Sequence, residues 1–173
     1  TSGVMLWRSR ATGSAGNAPV VRSTLRFHPD SLLQLGSNQP SLAVSPDGRT
    51  LVLSRDRNGE ENPGLYLQDA AGGPLRVIQH KKGVQTGFEF VSPDGRWVYY
   101  RSNDKKPDSY GLYRHDLAAG RTEEVFSQDG LWFIADHKPG RLLLGKAVGA
   151  RKTEVYEFDE AAKALKPLFG QGE

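Results

Sequence analysis

The chain has 173 residues, 37% of them hydrophobic and 25% charged, and no apolar run approaches the ~18 residues that a membrane helix needs. It contains no cysteine, which excludes disulfides, thiolate metal sites and a cysteine nucleophile. Its formal net charge of +3 arises within residues 1–30, while the rest of the chain is balanced. Interspersed charges of both signs predict a solvated surface, with neither a nucleic-acid nor a membrane partner.

The first 35 residues contain two short β-like runs, at residues 5–8 and 20–23, on either side of a loop rich in glycine, serine and alanine. We interpret them as a half repeat or an irregular lead-in to the repeats that follow. The chain opens on Thr1, so we expect it to be processed, trimmed or excerpted from a longer protein.

Two longer stretches repeat each other. The tetrapeptide Ser-Pro-Asp-Gly at residues 45–48 returns at 92–95, which is 47 residues later, and Gly-Leu-Tyr at 64–66 returns at 111–113. A period of 40 to 50 residues with four short β-like runs per unit is typical of a β-propeller blade.

Within each repeat, the tetrapeptide predicts a tight turn. Proline presets φ, aspartate accepts a local backbone hydrogen bond, and glycine permits the exit geometry. The runs on either side therefore form a hairpin, a third strand ends at Asp69 or Asp116, and a fourth follows a short loop. The predicted blades cover residues 36–80 and 81–127.

A degenerate third copy covers residues 128–173. It offers β-like runs at 131–134, 142–144, 155–159 and 165–169, with a turn at 138–141. Pro139 stands where the turn aspartate is expected, and Lys163 replaces the glycine of the loop between strands three and four. We predict a blade here as well.

The sequence thus predicts an all-β fold, a β-propeller segment of about three and a half four-stranded antiparallel blades that forms an incomplete ring. Propellers close with four to eight blades, and seven at this period would need roughly 320 residues. We expect the chain to be an excerpt of a longer propeller. The alternative is a homo-oligomer, in which a second copy completes the ring.

The repeated strings at residues 41–126, and more weakly 131–170, resemble TolB-type propeller blades. Such blades occur in TolB, a periplasmic protein–protein adaptor, and in the N-terminal propellers of bacterial and other prolyl oligopeptidase family serine peptidases, which include dipeptidyl and acylaminoacyl peptidases. Irregular loops predicted at 55–63 and 102–110, and the pattern formed by Trp132, Asp136 and Gly140, are similar to the peptidase group.

The resemblance to the peptidases implies a propeller segment that gates and selects peptide substrates for an α/β-hydrolase catalytic domain outside this chain. That hydrolase domain or the remaining blades, and a peptide substrate, are the expected partners. The alternative is a TolB-like protein–protein interaction scaffold without enzymatic activity. The compartment stays open between the bacterial cytoplasm and the periplasm.

We assign no catalytic residue within the chain, so whether the parent protein is an enzyme stays open. A Gly-x-Ser-x-Gly elbow is absent from the sequence, since residues 13–16 fall one residue short of it. The four histidines lack the spacing of metal ligands, and we expect no metal or cofactor. Glu60 and Glu61 resemble the paired glutamates of dipeptidyl peptidases, but they lack the neighbouring aromatic residues, which favours a solvated loop.

Charged segments after the second strands are the candidates for binding. One contains Arg101, Asp104, Lys105 and Lys106, and Arg151 with Lys152 occupies the equivalent segment of the next repeat. Loops on a rigid scaffold commonly carry binding residues. The alternative interpretation is a mobile, solvated rim.

Overall fold

In a computed structural model of the protein, residues 42–57 and 59–172 are described. They form three four-stranded antiparallel sheets, each with its strands in sequence order, and none of the sheets closes on itself. This confirms the predicted incomplete propeller. The half blade predicted within residues 1–35, and residues 36–41 of the first predicted blade, lie outside the described residues.

The sheets are named blades 1, 2 and 3 in chain order. Blade 1 consists of β1 (Leu42–Val44), β2 (Thr50–Arg55), β3 (Gly64–Asp69) and β4 (Arg76–Gln79). Blade 2 consists of β5 (Thr86–Val91), β6 (Trp97–Lys106), β7 (Ser109–Asp116) and β8 (Thr122–Phe126). Blade 3 consists of β9 (Leu131–Lys138), β10 (Arg141–Gly149), β11 (Lys152–Asp159) and β12 (Ala164–Phe169). The described residues include no helix that could cross a membrane.

The Ser-Pro-Asp-Gly turns are built around the serine as much as the aspartate. Ser92 Oγ donates to Asp94 Oδ1 at 2.5 Å and accepts the backbone N–H of Trp97 at 2.8 Å. Gly95, at φ 71°, adopts the left-handed conformation that glycine takes without steric cost. Blade 1 repeats this arrangement around Ser45, whose Oγ donates to Asp47 at 2.6 Å. The serine hydroxyl therefore fastens the turn to the first residue of the second strand.

Blade 3 makes its hairpin differently. Lys138 pairs directly with Arg141, so that Pro139 and Gly140 form a two-residue loop, with Gly140 at φ 73°. Proline followed by a glycine of positive φ is the chemistry of a type II turn. The missing aspartate is therefore explained by a shorter turn, after which the first residue of β10 still pairs with the aspartate of strand three, as in blades 1 and 2.

Two hydrophobic cores lie between the blades. Val52, Leu65 and Leu67 of blade 1 pack against Phe88, Val98 and Tyr100 of blade 2. The second core joins blade 2 to blade 3 and contains two tryptophans. Its buried members are Trp97, Tyr99, Leu112, Val125, Phe126, Trp132, Leu142, Leu144 and Phe158. Because each blade buries one face on its neighbour, the stack of blades supplies the core that a single sheet lacks.

The structure differs from the sequence-based expectation of a long loop at residues 102–110. Strands β6 and β7 continue through this segment and pair again at Lys106 and Ser109, after a register shift that begins at Ser102. Both faces of this hairpin are exposed near its tip, so its side chains are polar there. In the sequence alone, that polarity is typical of a loop. Backbone pairing between the two strands does not require apolar side chains.

Candidate functional site

The candidate binding residues lie at one end of the blades, which we call the crossover end. It comprises the connections between strands two and three and those between successive blades. Among the described residues, the connections of the crossover end are 56–57, 59–63, 80–85, 107–108, 127–130 and 150–151, and the ends of the strands that they join lie beside them.

Asp104, Lys105 and Lys106 lie at the end of strand β6 and form ion pairs. Asp104 accepts from Lys81 of the preceding crossover at 2.8 Å, and Lys106 donates to Asp129 of the following crossover at 2.8 Å. Lys105 pairs with Glu124 of its own blade. The hydrogen bond from Lys106 to Asp129 raises the pKa of Lys106. Exposed pairs of this kind add little to stability because water screens them.

These contacts tie the tip of the β6–β7 hairpin to both neighbouring crossovers. Hydrogen bonds reinforce the link on the blade 1 side, where Gln85 N donates to Asn103 Oδ1 at 2.7 Å. On the blade 3 side, the backbone N–H of Tyr110 donates to the Gly130 carbonyl at 2.9 Å. Residues 103–106 therefore form a row of ion-paired and hydrogen-bonded side chains, which we call the paired rim, and this rim connects blade 2 to both neighbouring crossovers.

Arg101 lies near the middle of β6, and its side chain reaches the junction of blades 2 and 3. Its guanidinium is 2.7 Å from Glu89 Oε1, and the other carboxylate oxygen accepts the Ile134 backbone N–H of blade 3 at 3.1 Å. Burial raises the pKa of the Glu89 carboxyl, while Arg101 opposes the rise. Glu89 is the extra residue at a register shift between Phe88 and Phe90, and such bulges redirect a side chain.

A second polar joint lies toward the other end of the same junction. Glu160, just after β11, accepts from Tyr99 Oη at 3.0 Å and from Arg114 at 3.2 Å. Arg114 also pairs with Glu123 of its own blade at 2.9 Å and lies over the Trp97 ring. Burial raises the pKa of Tyr99 to about 12, so the phenol stays protonated and donates.

Arg151 and Lys152 occupy the tip of the β10–β11 hairpin. Arg151 is exposed and lies in the turn, and Lys152 begins β11. In the described part of the chain, neither residue takes part in an ion pair within 4.0 Å, whereas the lysines of β6 do. The structure brings Asp104, Lys105 and Lys106 together at one tip and leaves this pair on another.

The three described histidines contact a tyrosine, a threonine and a phenylalanine. Tyr66 Oη hydrogen-bonds His80 Nδ1, His115 Nδ1 is 3.0 Å from Thr122 Oγ1, and His137 stacks on Phe90 with ring centroids 3.6 Å apart. Within residues 42–57 and 59–172, no group of three or more histidines and carboxylates is placed to hold a metal ion.

Sequence reasoning missed the residues that hold the blades together, Glu89 and Glu160. A signal for Glu89 existed, since a glutamate between two phenylalanines in a short first strand needs a buried partner. Glu160 had no comparable signal, because an acidic residue after a strand is usually solvated.

These observations define a class of protein. Consecutive four-stranded blades with buried interfaces make the chain a segment of a β-propeller. Solved propeller structures are similar to it over about three quarters of its length. No protein-family model and no curated protein matches the sequence.

The similar structures include TolB from Acinetobacter baumannii, with 22% identity and a TM-score of 0.56 over 78% of this chain and 33% of that one. A putative TolB from Agrobacterium tumefaciens has 16% identity and a TM-score of 0.59 over 75% and 45%. A puromycin-hydrolyzing peptidase from Mycobacterium tuberculosis has 14% identity and a TM-score of 0.57 over 74% and 21%. The chain thus spans less than half of each of these proteins, and the likeness concerns the fold.

Proposed function

We propose that this segment forms part of a propeller wall that gates and selects peptide substrates for a serine peptidase domain lying outside the chain. The observation that carries the proposal is the double joint between blades 2 and 3. A wall that selects by size must resist separation of its blades, and here Glu89 links them from the middle of β5 and Glu160 from the end of β11. The similarity to a peptidase propeller supports the proposal.

The test uses the full-length gene product. A fluorophosphonate probe should label a serine in it, and hydrolysis should decline as the peptide substrate is lengthened. Changing Glu160→Ala, which removes one joint, should extend cleavage to longer peptides while leaving kcat/KM for a short peptide unchanged. Absence of labelling, or cleavage that is indifferent to length, would contradict the proposed gate.

A second candidate function is a TolB-like interaction scaffold without catalysis, with a protein as its ligand. The specific observation in its favour is the paired rim at the crossover end, which holds Lys105 and Lys106 in ion pairs, while exposed Arg151 lies at the hairpin tip of the next blade. A rigid charged rim suits protein recognition because little side-chain entropy remains to be lost on binding.

The two functions predict different behaviour of the full-length protein. A scaffold should show neither fluorophosphonate labelling nor peptide hydrolysis. Replacing Lys105 and Lys106 with glutamate should weaken binding to its protein partner and leave folding intact. A gate should instead retain its hydrolysis of short peptides in that double variant.

A further inference from the structure

The face of blade 3 that points away from blade 2 is organised like the blade faces that are covered within this structure. Leu142, Leu144 and Phe158 are buried toward blade 2, and side chains alternate along a strand, so Leu143 and Glu157 point the other way. The outward face also carries Phe169, which pairs with Val155 and is 62% exposed. It combines apolar positions with a charged group near one end.

Two equivalent positions in each blade lie at the existing junctions. The first is the residue two places before the aspartate that ends strand three, which we call the strand-three position. The second is the residue directly after that aspartate, which we call the post-aspartate position. The strand-three position holds Leu67, Arg114 and Glu157 in blades 1, 2 and 3, and the post-aspartate position holds Ala70, Leu117 and Glu160.

The residues at these positions match in character across both junctions. Between blades 1 and 2, Leu67 lies in the core cluster against which Leu117 packs. Between blades 2 and 3, Arg114 forms an ion pair with Glu160 at 3.2 Å. At one junction both positions are thus apolar and belong to one core, and at the other a cation contacts a carboxylate, a match of the kind that gives an interface specificity.

On blade 3 the strand-three position is Glu157, which lines a depression of about 210 Å³ together with Asp136, Lys138 and Arg141. Arg141 is 2.9 Å from Glu157 and 3.1 Å from Asp159, so a single guanidinium serves two carboxylates. Lys166, opposite Glu157 in the ladder, makes no ion pair within 4.0 Å among the described residues. Glu157 can therefore pair with a further cation across a junction, just as Arg114 pairs both with Glu123 of its own blade and with Glu160 of the next blade.

We propose that the outward face of blade 3 docks a further propeller blade whose post-aspartate residue is lysine or arginine. A second copy of this chain fits less well, because its blade 1 carries Ala70 at that position. The face of blade 1 that it would offer, with Leu53 and Tyr66, is also already buried at 4% and 2% exposure. The inference concerns assembly of the ring and does not depend on the peptidase function.

The experiment appends to the 173-residue chain, after its last residue, a copy of residues 81–127, a blade that already covers an equivalent face. Three versions carry leucine, lysine or glutamate at the copy of position 117. The lysine version should have the highest urea midpoint, with an unfolding equilibrium constant about ten-fold smaller than that of the glutamate version. In a Glu157→Leu background the preference should change to leucine.

The control places lysine or glutamate at the copy of Ala119, which is exposed in blade 2, and should leave the midpoint unchanged. If the three versions keep the same order of midpoints in the parent and in the Glu157→Leu background, the proposal is overturned. An appended blade that never raises the midpoint would overturn it as well. Light scattering that shows the unmodified chain as a dimer, and a monomer after Phe169→Asp, would assign the face to a second copy instead.

Discussion

At the scale of single residues, the repeated tetrapeptide depends on a few hydroxyl and carboxylate hydrogen bonds. Ser92 is 8% exposed and serves two partners, and Asp94 receives both its hydroxyl and the Arg96 N–H. The loops after strand three use the same chemistry, since Asp116 accepts from the N–H groups of Ala118 and Ala119. Short loops on this fold are therefore held by side chains that replace missing backbone partners.

Changing Ser92→Ala should destabilise the protein by about 1–3 kcal/mol, because the buried Trp97 N–H loses its acceptor. Urea unfolding followed by fluorescence measures the effect. The matched control is Ser127→Ala, at an exposed serine, which should change stability by less than about 0.5 kcal/mol. If Ser92→Ala lowers stability no more than Ser127→Ala does, the Ser92 hydroxyl has no structural role.

Stability should fall as the pH drops below about 4. Hydrogen bonds from Ser45 and Ser92 hold the pKa values of Asp47 and Asp94 below the usual 3.8. A lowered carboxyl pKa contributes stability above the unfolded value, and the contribution is lost as the pH falls through the folded one. Glu89, whose pKa is raised by burial, acts in the opposite direction.

The urea midpoint measured from pH 7 to pH 3 tests this dependence. The variant Asp94→Asn should show a shallower decline than the parent protein, because one of the contributing carboxyls is gone. If the urea midpoints of the parent protein and the variant decline in parallel, the acid sensitivity arises from other groups.

At the scale of elements, each strand has to pair with its neighbours in the sheet and also pack against the adjacent blade. In β10, Gly145 lies beneath Phe133 of β9, and a methyl group added at Gly145 would overlap the ring. In β5, the bulge at Glu89 turns a carboxylate toward the next blade. Local sequence predicts these strands, but their special residues are explained only by the contacts.

Changing Gly145→Ala should cost about 1–3 kcal/mol, because Phe133 has to move from a packed position. Gly149→Ala in the same strand is the control, since its added methyl would meet its nearest neighbour at an ordinary 3.8 Å. Chemical denaturation of both variants measures the difference. If Gly149→Ala proves as costly as Gly145→Ala, strand propensity rather than the Phe133 contact explains both.

Changing Glu89→Ala should destabilise the chain by about 3 kcal/mol, because it removes the carboxylate partner of Arg101 and the acceptor of the Ile134 N–H. The double variant Glu89→Ala with Arg101→Leu should recover part of the loss. A double-mutant cycle measures the coupling, and strictly additive effects would argue against the joint.

At the scale of the whole molecule, blades 2 and 3 share one core and should unfold together. Trp132 is 1% exposed and contacts Phe126 of blade 2 edge to face, at 4.8 Å between ring centroids. Its ring also lies 5.1 Å from Tyr156 of its own blade. In a stack of repeats, such interface residues carry the cooperativity.

Changing Trp132→Ala should cost about 3–5 kcal/mol and should lower amide-exchange protection in both blade 2 and blade 3. Leu131→Ala, at the neighbouring exposed position, should have little effect. Hydrogen exchange followed by mass spectrometry distinguishes the outcomes, and loss of protection confined to blade 3 would contradict shared unfolding.

The amino-acid sequence by itself determined the fold class, the repeat and the third, degenerate blade, because turn chemistry and short β-like runs act over neighbouring residues. Only the tertiary structure decided that residues 102–110 extend a hairpin, that the β6 charges form a paired rim, and that Glu89 and Glu160 join the blades. Those features depend on partners far apart in sequence, such as Tyr99 and Glu160, whose proximity arises only when one blade packs on the next.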